Sequence, residues 1–122
     1  MNNKSDSEKI EDMICDYFHL RKINTNVDAM DNIGYLYEIK ACKKYTRDNS
    51  HKSKIRNGRF WFSDKDFELN GKKFIFVVYD KNGNDIEISN IKVLFDYEYI
   101  NKFKFRKEIS WKVLFNEGGI NE

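Results

Sequence analysis

The 122-residue chain contains no proline, only two cysteines and no long hydrophobic run. Without proline, its turns depend on Asn, Asp and Gly, and a Pro-rich linker between domains is excluded. Cys15 and Cys42 lack the C-x-x-C spacing typical of zinc or redox sites, so we expect reduced, partly buried thiols. No stretch of 18 apolar residues occurs and the N-terminus is polar, so we expect neither a membrane span nor a secretory signal, and a cytoplasmic protein.

The composition predicts a single compact domain over residues 1–122. Hydrophobic residues make up 40% of the chain and aromatic residues 16%, which excludes disorder as its main state. A chain of this size buries roughly two thirds of its unfolded surface, enough for one modest core.

Charge is distributed unevenly, although the formal net charge is only +2. Residues 1–39 hold 4 Lys or Arg and 8 Asp or Glu, whereas residues 40–59 hold 8 and 1. The basic segment is either a solvated loop or a binding surface for a polyanion. In the second case, the neighbouring carboxylates would hold a cation next to that polyanion. The second interpretation points to nucleic acid.

Local patterns predict an α+β or mixed α/β fold. Residues 7–22 have the apolar spacing of an amphipathic helix. The acids on its polar face, Glu8, Glu11 and Asp12, are either solvated or a source of a further carboxylate for a metal site. The remaining predictions are a hairpin (27–30 and 35–42), a long mobile loop (43–58), strands (59–62, 74–79, 86–89, 91–95 and 110–115), a helical turn or loop starting at 63–66, a turn containing Asn-Gly (80–85) and a short helix (96–103).

The hairpin brings three ionisable residues together. Folding it symmetrically about Ile33 places Asp28 opposite Glu38. The period of two in a strand then puts Glu38 and Lys40 on one face. The Glu-x-Lys pattern alone occurs by chance about once in a chain of this composition. The prediction therefore depends on the position of this copy on a strand opposite Asp28. The alternative is an exposed hairpin with ordinary surface charges.

The three side chains suit metal-assisted hydrolysis of a phosphodiester. The Asp28 and Glu38 carboxylates and the Ile39 backbone carbonyl supply the hard oxygen ligands that Mg²⁺ prefers. Lys40 is then placed to orient the attacking water and to stabilise the charge that grows on the phosphorus centre. We therefore predict catalytic roles for Asp28, Glu38 and Lys40 and a metal site formed by Asp28, Glu38 and Ile39.

The stretch from Asp28 to Lys40, with its Asp-Asn-x-Gly turn and Tyr37 before the acid, resembles the catalytic segment of the PD-(D/E)xK nucleases, especially type II restriction endonucleases. The resemblance extends more loosely over residues 25–118. It implies a restriction-endonuclease-like core, a central mixed β-sheet flanked by helices. It also implies Asp28 and Glu38 as metal ligands, Lys40 as the catalytic lysine, Mg²⁺ with Mn²⁺ as a substitute, 5′-phosphate products and a homodimer that cuts both strands of DNA.

The basic segment after the hairpin is the predicted DNA contact. Its cations would neutralise phosphates, while Asn, His and Arg side chains would read base edges; the alternative is a disordered solubilising loop. Next along the chain, Phe60 and Phe62 share one strand face and Trp61 the other, so at most one side is expected to meet DNA. The predicted DNA-binding residues are Lys43, Lys44, Arg47, Asn49, His51, Lys52, Lys54, Arg56, Asn57 and Arg59.

The leading hypothesis is a Mg²⁺-dependent DNA endonuclease that acts as a dimer on double-stranded DNA, like a type II restriction enzyme. Two alternatives stay open at this point. One is a nuclease specific for DNA structure or modification. The other is a non-catalytic DNA-binding module, against which the two facing acids of the hairpin argue, because without a cation they repel each other.

Overall fold

The computed structural model describes residues 4–48 and 54–116. Helices and strands follow one another along these residues in the mixed order expected of an α+β fold. The helices are α1 (Asp6–Phe18), α2 (Asp96–Phe103) and α3 (Trp111–Phe115), and a 3₁₀ turn covers Asp64–Phe67. The strands are β1 (Arg21–Lys22), β2 (Ala29–Met30), β3 (Leu36–Lys43), β4 (Tyr45–Asp48), β5 (Lys54–Asn57), β6 (Arg59–Trp61), β7 (Lys73–Asn82), β8 (Asp85–Phe95) and β9 (Glu108–Ser110).

A five-stranded mixed sheet forms the centre, in the order β1-β2-β3-β7-β8. Strands β3 and β7 are parallel, and the other neighbours are antiparallel. Two further antiparallel pairs, β4-β5 and β6-β9, lie outside this sheet. The prediction of an α+β fold with a central mixed sheet flanked by helices is confirmed.

Helix α1 starts where the sequence predicts and ends earlier. The Ser5 side chain accepts from the Glu8 backbone N–H and Glu8 binds back to the Ser5 N–H, a capping box. The helix stops at His19, which adopts a left-handed conformation with φ 58°. The expected last turn is therefore wrong, because Arg21–Lys22 instead pairs with β2.

Each face of the sheet carries its own core. One face packs against α1 through Ile10 and Ile14, which contact the alternate residues of β3 and β7. The other face is covered by β6, β9, α2 and α3 and is rich in aromatic rings. Its buried members are Cys42, Phe60, Phe62, Phe74, Phe76, Val78, Leu94, Tyr99, Ile109, Trp111 and Leu114.

The apolar run at 74–79 forms the middle of β7, as predicted, and is fully enclosed by the two cores. Helix α2 and the Asn-Gly turn after β7 are also confirmed; Gly83 in that turn has φ 65°, a conformation that favours glycine. The two strands predicted at 86–95 form one continuous strand, β8, because a register shift opposite Val78 and Tyr79 absorbs the break.

Two further predictions are wrong. Within the described part of residues 43–58, the predicted loop forms the β4-β5 ribbon, in which Tyr45 pairs with Asn57 and Asp48 with Lys54. Each of these short strands has only one apolar or aromatic residue, Tyr45 in β4 and Ile55 in β5, so the sequence shows no alternation. The predicted strand at 110–115 is mainly helix α3, which Ser110 caps by accepting from the Lys112 N–H.

Both cysteines are buried free thiols, as expected. Among the residues that the structure describes, no helix is long and apolar enough to span a membrane.

Candidate active site

The β2-β3 hairpin has the register that the sequence predicts. Ala29 pairs with Tyr37, which sets Asp28 opposite Glu38. Because β2 spans two residues, Asp28 lies just before it, and its Oδ2 accepts from the Ile39 backbone N–H at 2.8 Å. The Asp28 carboxylate thus accepts the hydrogen bond from β3 that a backbone carbonyl would accept if β2 were longer. Since backbone groups alternate along a strand, the Ile39 carbonyl lies on this same edge.

Glu38 and Lys40 share the sheet face that carries the aromatic core, as predicted from the period of two. The Lys40 Nζ lies 4.0 Å from Glu38 Oε2 and 5.2 Å from the centre of the Phe62 ring. The side chains of Glu38 and Lys40 are only 15% and 16% exposed, so this is not an ordinary surface pair. The structure therefore brings Asp28, Glu38 and Lys40 together and excludes the exposed-hairpin alternative.

Asp66 is a residue of this cluster that the sequence does not predict. Its Oδ2 accepts from Lys40 Nζ at 2.7 Å and from the Ser63 backbone N–H at 2.7 Å, and its side chain is only 7% exposed. The Ser-x-x-Asp spacing of a cap is visible in the sequence and suggests a turn. No local signal connects that turn to Lys40.

Burial and neighbouring acids raise the pKa of Glu38 to about 8. Desolvation is the largest cause, followed by repulsion from Asp28, and a hydrogen bond between the two carboxyl groups acts in the same direction. Lys40 opposes this shift, whereas Asp66 adds to it. Two carboxyl groups this close repel each other when both are ionised, and a bound cation would relieve that repulsion.

Residues 1–111 match the family model of the PD-(D/E)XK nuclease superfamily domain. The chain belongs to the PD-(D/E)XK nuclease superfamily. The match carries nothing specific to type II restriction endonucleases, and no curated protein and no solved structure matches the chain significantly. Val27 precedes Asp28 where the superfamily's name has proline. Membership supports a nuclease, and PD-(D/E)XK nucleases generally use divalent metal ions.

Glu11 of α1 approaches Asp28 from the helix side, and its Oε1 also lies 3.8 Å from Lys22 Nζ. Burial raises the pKa of Glu11, and repulsion from Asp28 is the next largest cause. Glu11 and Asp28 both line a cleft of about 570 Å³ between α1 and the segment that leads into β2. Of the three acids on this helix face, Glu8 belongs to the capping box and Asp12 pairs with Lys22, whereas Glu11 lies beside Asp28.

The donors fit a hard divalent cation. Asp28, Glu38 and the Ile39 carbonyl offer only oxygen, and Mg²⁺ typically binds one or two carboxylates and keeps several waters. Within residues 4–48 and 54–116, no three His, Cys, Asp or Glu side chains surround one point closely enough to hold a metal ion by themselves. The fit therefore depends on two carboxylates, a carbonyl and water.

The predicted DNA-binding residues that the structure describes lie on or next to the β4-β5 ribbon, which follows β3 in the chain. Trp111 forms hydrogen bonds to the residues on either side of the ribbon. Its Nε1 donates to the Lys44 carbonyl at 2.7 Å, and its backbone N–H donates to the Gly58 carbonyl. Lys43, Arg47, Lys54 and Arg56 are exposed, Lys44, Asn57 and Arg59 are half-buried, and Asn49, His51 and Lys52 lie outside the described residues.

The three aromatic residues of 60–62 separate as predicted. Phe60 and Phe62 are buried in the aromatic core, whereas Trp61 is 64% exposed. One side of β6 is therefore available to a ligand.

Proposed function

We propose that the chain is a Mg²⁺-dependent DNA endonuclease that hydrolyses phosphodiester bonds to leave 5′-phosphate ends. The observation that carries the proposal is the convergence of Asp28, Glu38 and Lys40 on one half-buried hairpin. Superfamily membership supports nuclease chemistry. The basic β4-β5 ribbon, which follows the strand that carries Glu38 and Lys40, supports DNA as the substrate.

In this proposal Asp28, Glu38 and the Ile39 carbonyl would hold the ion, and Glu11 beside Asp28 would supply a further carboxylate. When bound, Mg²⁺ polarises a phosphate oxygen and lowers the pKa of a bound water. The Glu38 carboxyl group must lose its proton for this, which the positive charge of the ion favours.

Lys40 supplies the positive charge of the chain itself. Its ammonium group lies beside Glu38, where it donates hydrogen bonds to the attacking water and to a non-bridging phosphate oxygen. The Phe62 ring and Asp66 limit its motion, since the first packs beneath it and the second accepts from it. Asp66 acts in this scheme as a positioning residue.

The ribbon grips the duplex mainly through its phosphates. Lys43 at the end of β3 and Lys54 and Arg56 of the ribbon are exposed. A two-stranded ribbon fits the major groove of B-DNA. A single active site of this size cuts one strand at a time, so a double-strand cut of the type II restriction kind requires two copies. We propose a homodimer for that activity.

A plasmid assay tests the proposal. Wild-type protein with Mg²⁺, or with Mn²⁺ as the substitute ion, should nick or linearise supercoiled plasmid, and EDTA should stop it. Asp28→Asn and Lys40→Ala should lower the rate by at least about 100-fold, whereas Lys65→Ala, at an exposed lysine near the cluster, should not. Equal cutting by all three variants would show that the catalytic assignment is wrong.

Two further measurements test the product and the dimer. A ligase should reseal the cut DNA directly, and phosphatase treatment should prevent it, since resealing requires a 5′-phosphate. Analytical ultracentrifugation with a short duplex should give two chains per duplex. One chain per duplex together with nicks only would exclude the dimeric mode of cutting.

A further inference from the structure

An exposed aromatic side chain lies on the outer face of the small β6-β9 sheet. In that sheet Phe60 pairs with Ile109, and both point into the core. The residues on either side, Arg59 and Trp61, therefore point outward with their partners Ser110 and Glu108. Burial of Phe60 thus forces the Trp61 indole into solvent.

The outer face of the β6-β9 sheet lies next to the β4-β5 ribbon. A hollow of about 320 Å³ lies between this face and the ribbon, and its walls include Tyr45, Asn57 and Arg59. Large apolar groups stay uncovered here, since Trp61 is 64%, Ile55 63% and Tyr45 46% exposed. We call this surface the aromatic-basic strip; it comprises Tyr45, Ile55, Arg56, Asn57, Arg59 and Trp61.

The charge of the strip suits a phosphate backbone. Its acidic neighbour Glu108 is neutralised by Arg59, whose Nη1 lies 2.7 Å from Glu108 Oε1. Arg56, which lines the same hollow, adds positive charge. Exposed aromatic rings beside cations are the combination that binds single-stranded nucleic acid, because bases stack on the rings while the cations follow the phosphates.

The strip lies on the outer face of the layer that covers the aromatic core. Phe62 faces the core, where its ring lies 5.2 Å from Lys40 Nζ, and Trp61 before it points to the opposite side of the strand. A nucleotide held by Trp61 is therefore bound outside the candidate active site, with β6 between the two.

We propose that the aromatic-basic strip binds an unpaired nucleotide of the DNA, with the Trp61 indole stacked on its base. In a regular duplex both faces of each base are covered by its neighbours, so the indole can stack only where a base is unpaired, bulged or at a single-stranded end. The substrate class is then DNA that contains unpaired bases. This inference rests on the proposed nuclease function and specifies its substrate.

Tryptophan fluorescence in EDTA tests the inference without catalysis. The chain has two tryptophans, and Trp111 is buried, so the exposed Trp61 should report the contact. The probes are a 12-nucleotide oligo(dT), a duplex with a single-base bulge and the same duplex fully paired. Oligo(dT) and the bulged duplex should quench the emission more than the paired duplex does, and Trp61→Phe should remove the difference.

Affinity and cleavage complete the test. Trp61→Ala should weaken binding of oligo(dT) and the bulged duplex by about tenfold and binding of the paired duplex by less than about twofold, while Trp61→Phe restores most of the loss. In Mg²⁺, wild type should cut the bulged duplex faster than the paired one, and Trp61→Ala should equalise the two rates.

The outcomes separate this inference from the proposed function. If plasmid is cut but Trp61→Ala leaves every affinity unchanged, the strip does not bind unpaired bases and only this inference fails. If Trp61→Ala instead abolishes self-association, the strip is an interface between two copies of the chain. If no probe is cut with any divalent ion, the proposed function itself fails, whatever the fluorescence shows.

Discussion

Lys40 and Asp66 are 26 positions apart in the chain, yet their side chains form an ion pair of 2.7 Å that is almost closed to solvent. The pair joins the hairpin that carries the two acids to the 3₁₀ turn on the aromatic face of the sheet. It leaves the ammonium group 4.0 Å from Glu38, between two carboxylates. The position of the candidate catalytic lysine is thus determined by a residue outside the Asp-Glu-x-Lys segment.

The Asp66→Asn variant should separate positioning from folding. The amide oxygen can still accept from the Ser63 N–H, so the turn is kept, but the negative charge facing Lys40 is lost. We expect kcat for plasmid or oligonucleotide cleavage to fall by about tenfold with little change in KM. Single-turnover and steady-state kinetics measure this.

Asp64→Asn is the matched control, since its side chain is 88% exposed and pairs with Lys107 at the surface. It should leave kcat unchanged. An equal loss of kcat in both variants, or a collapse of the melting temperature in Asp66→Asn alone, would show that Asp66 does not act through Lys40.

The stability of the metal-free protein should fall as pH rises from about 4.5 to about 8. Glu38 has a pKa of about 8 in the fold and an ordinary one of 4.5 when unfolded, so the native state binds the extra proton in this window. The contribution of Glu38 is fully present below pH 4.5 and is lost as pH passes 8. Urea unfolding in EDTA at several pH values measures this, with a slope from this group of at most about 1.4 kcal/mol per pH unit.

Glu38→Gln should flatten that pH dependence, because it removes the titrating carboxyl group. Added Mg²⁺ should reduce the slope in the wild type, since the ion stabilises the deprotonated acid. A Glu38→Gln profile parallel to that of the wild type would assign the slope to other groups.

Each ribbon cation that contacts a phosphate should contribute to the salt dependence of DNA binding. Lys54→Gln should lower the log-log slope of the binding constant against salt by about 0.9 for duplex DNA. Lys104→Gln, at an exposed lysine beyond α2, should leave the slope unchanged. Fluorescence anisotropy at four salt concentrations in EDTA checks both, and equal slopes for all three proteins would remove Lys54 from the interface.

Gly58 permits the chain to cross closely over the end of β3. A Cβ built there would lie 1.7 Å from the Lys43 carbonyl oxygen, which is backbone and cannot swing away. Gly58→Ala should therefore cost about 3 kcal/mol of the free energy of unfolding. Gly71→Ala, which meets open space but has φ 78°, should cost only about 1 kcal/mol. Chemical denaturation measures both values, and similar losses would contradict the close approach.

Helices, strands and turns that depend on short stretches of the chain could be predicted from the sequence alone. The capping residues and apolar spacing of α1, the apolar run inside β7 and the register of Asp28 against Glu38 all follow from periodicity and turn chemistry over a few residues. A one-residue slip of that hairpin would turn the faces of β3 over, so its register is strongly specified. For this reason the sequence predicts that Asp28, Glu38 and Lys40 lie together, but it does not predict the other residues of the candidate site.

The distant segments that complete the site are known only from the three-dimensional packing. Asp66 reaches Lys40, Glu11 approaches Asp28 across the cleft, and β6 pairs with β9 so that Trp61 points outward. Pairing between β4 and β5 is equally hard to predict, because each strand carries only one apolar or aromatic side chain. These contacts depend on how two cores close over the two faces of one sheet, and packing between residues far apart in the chain leaves no period in the sequence.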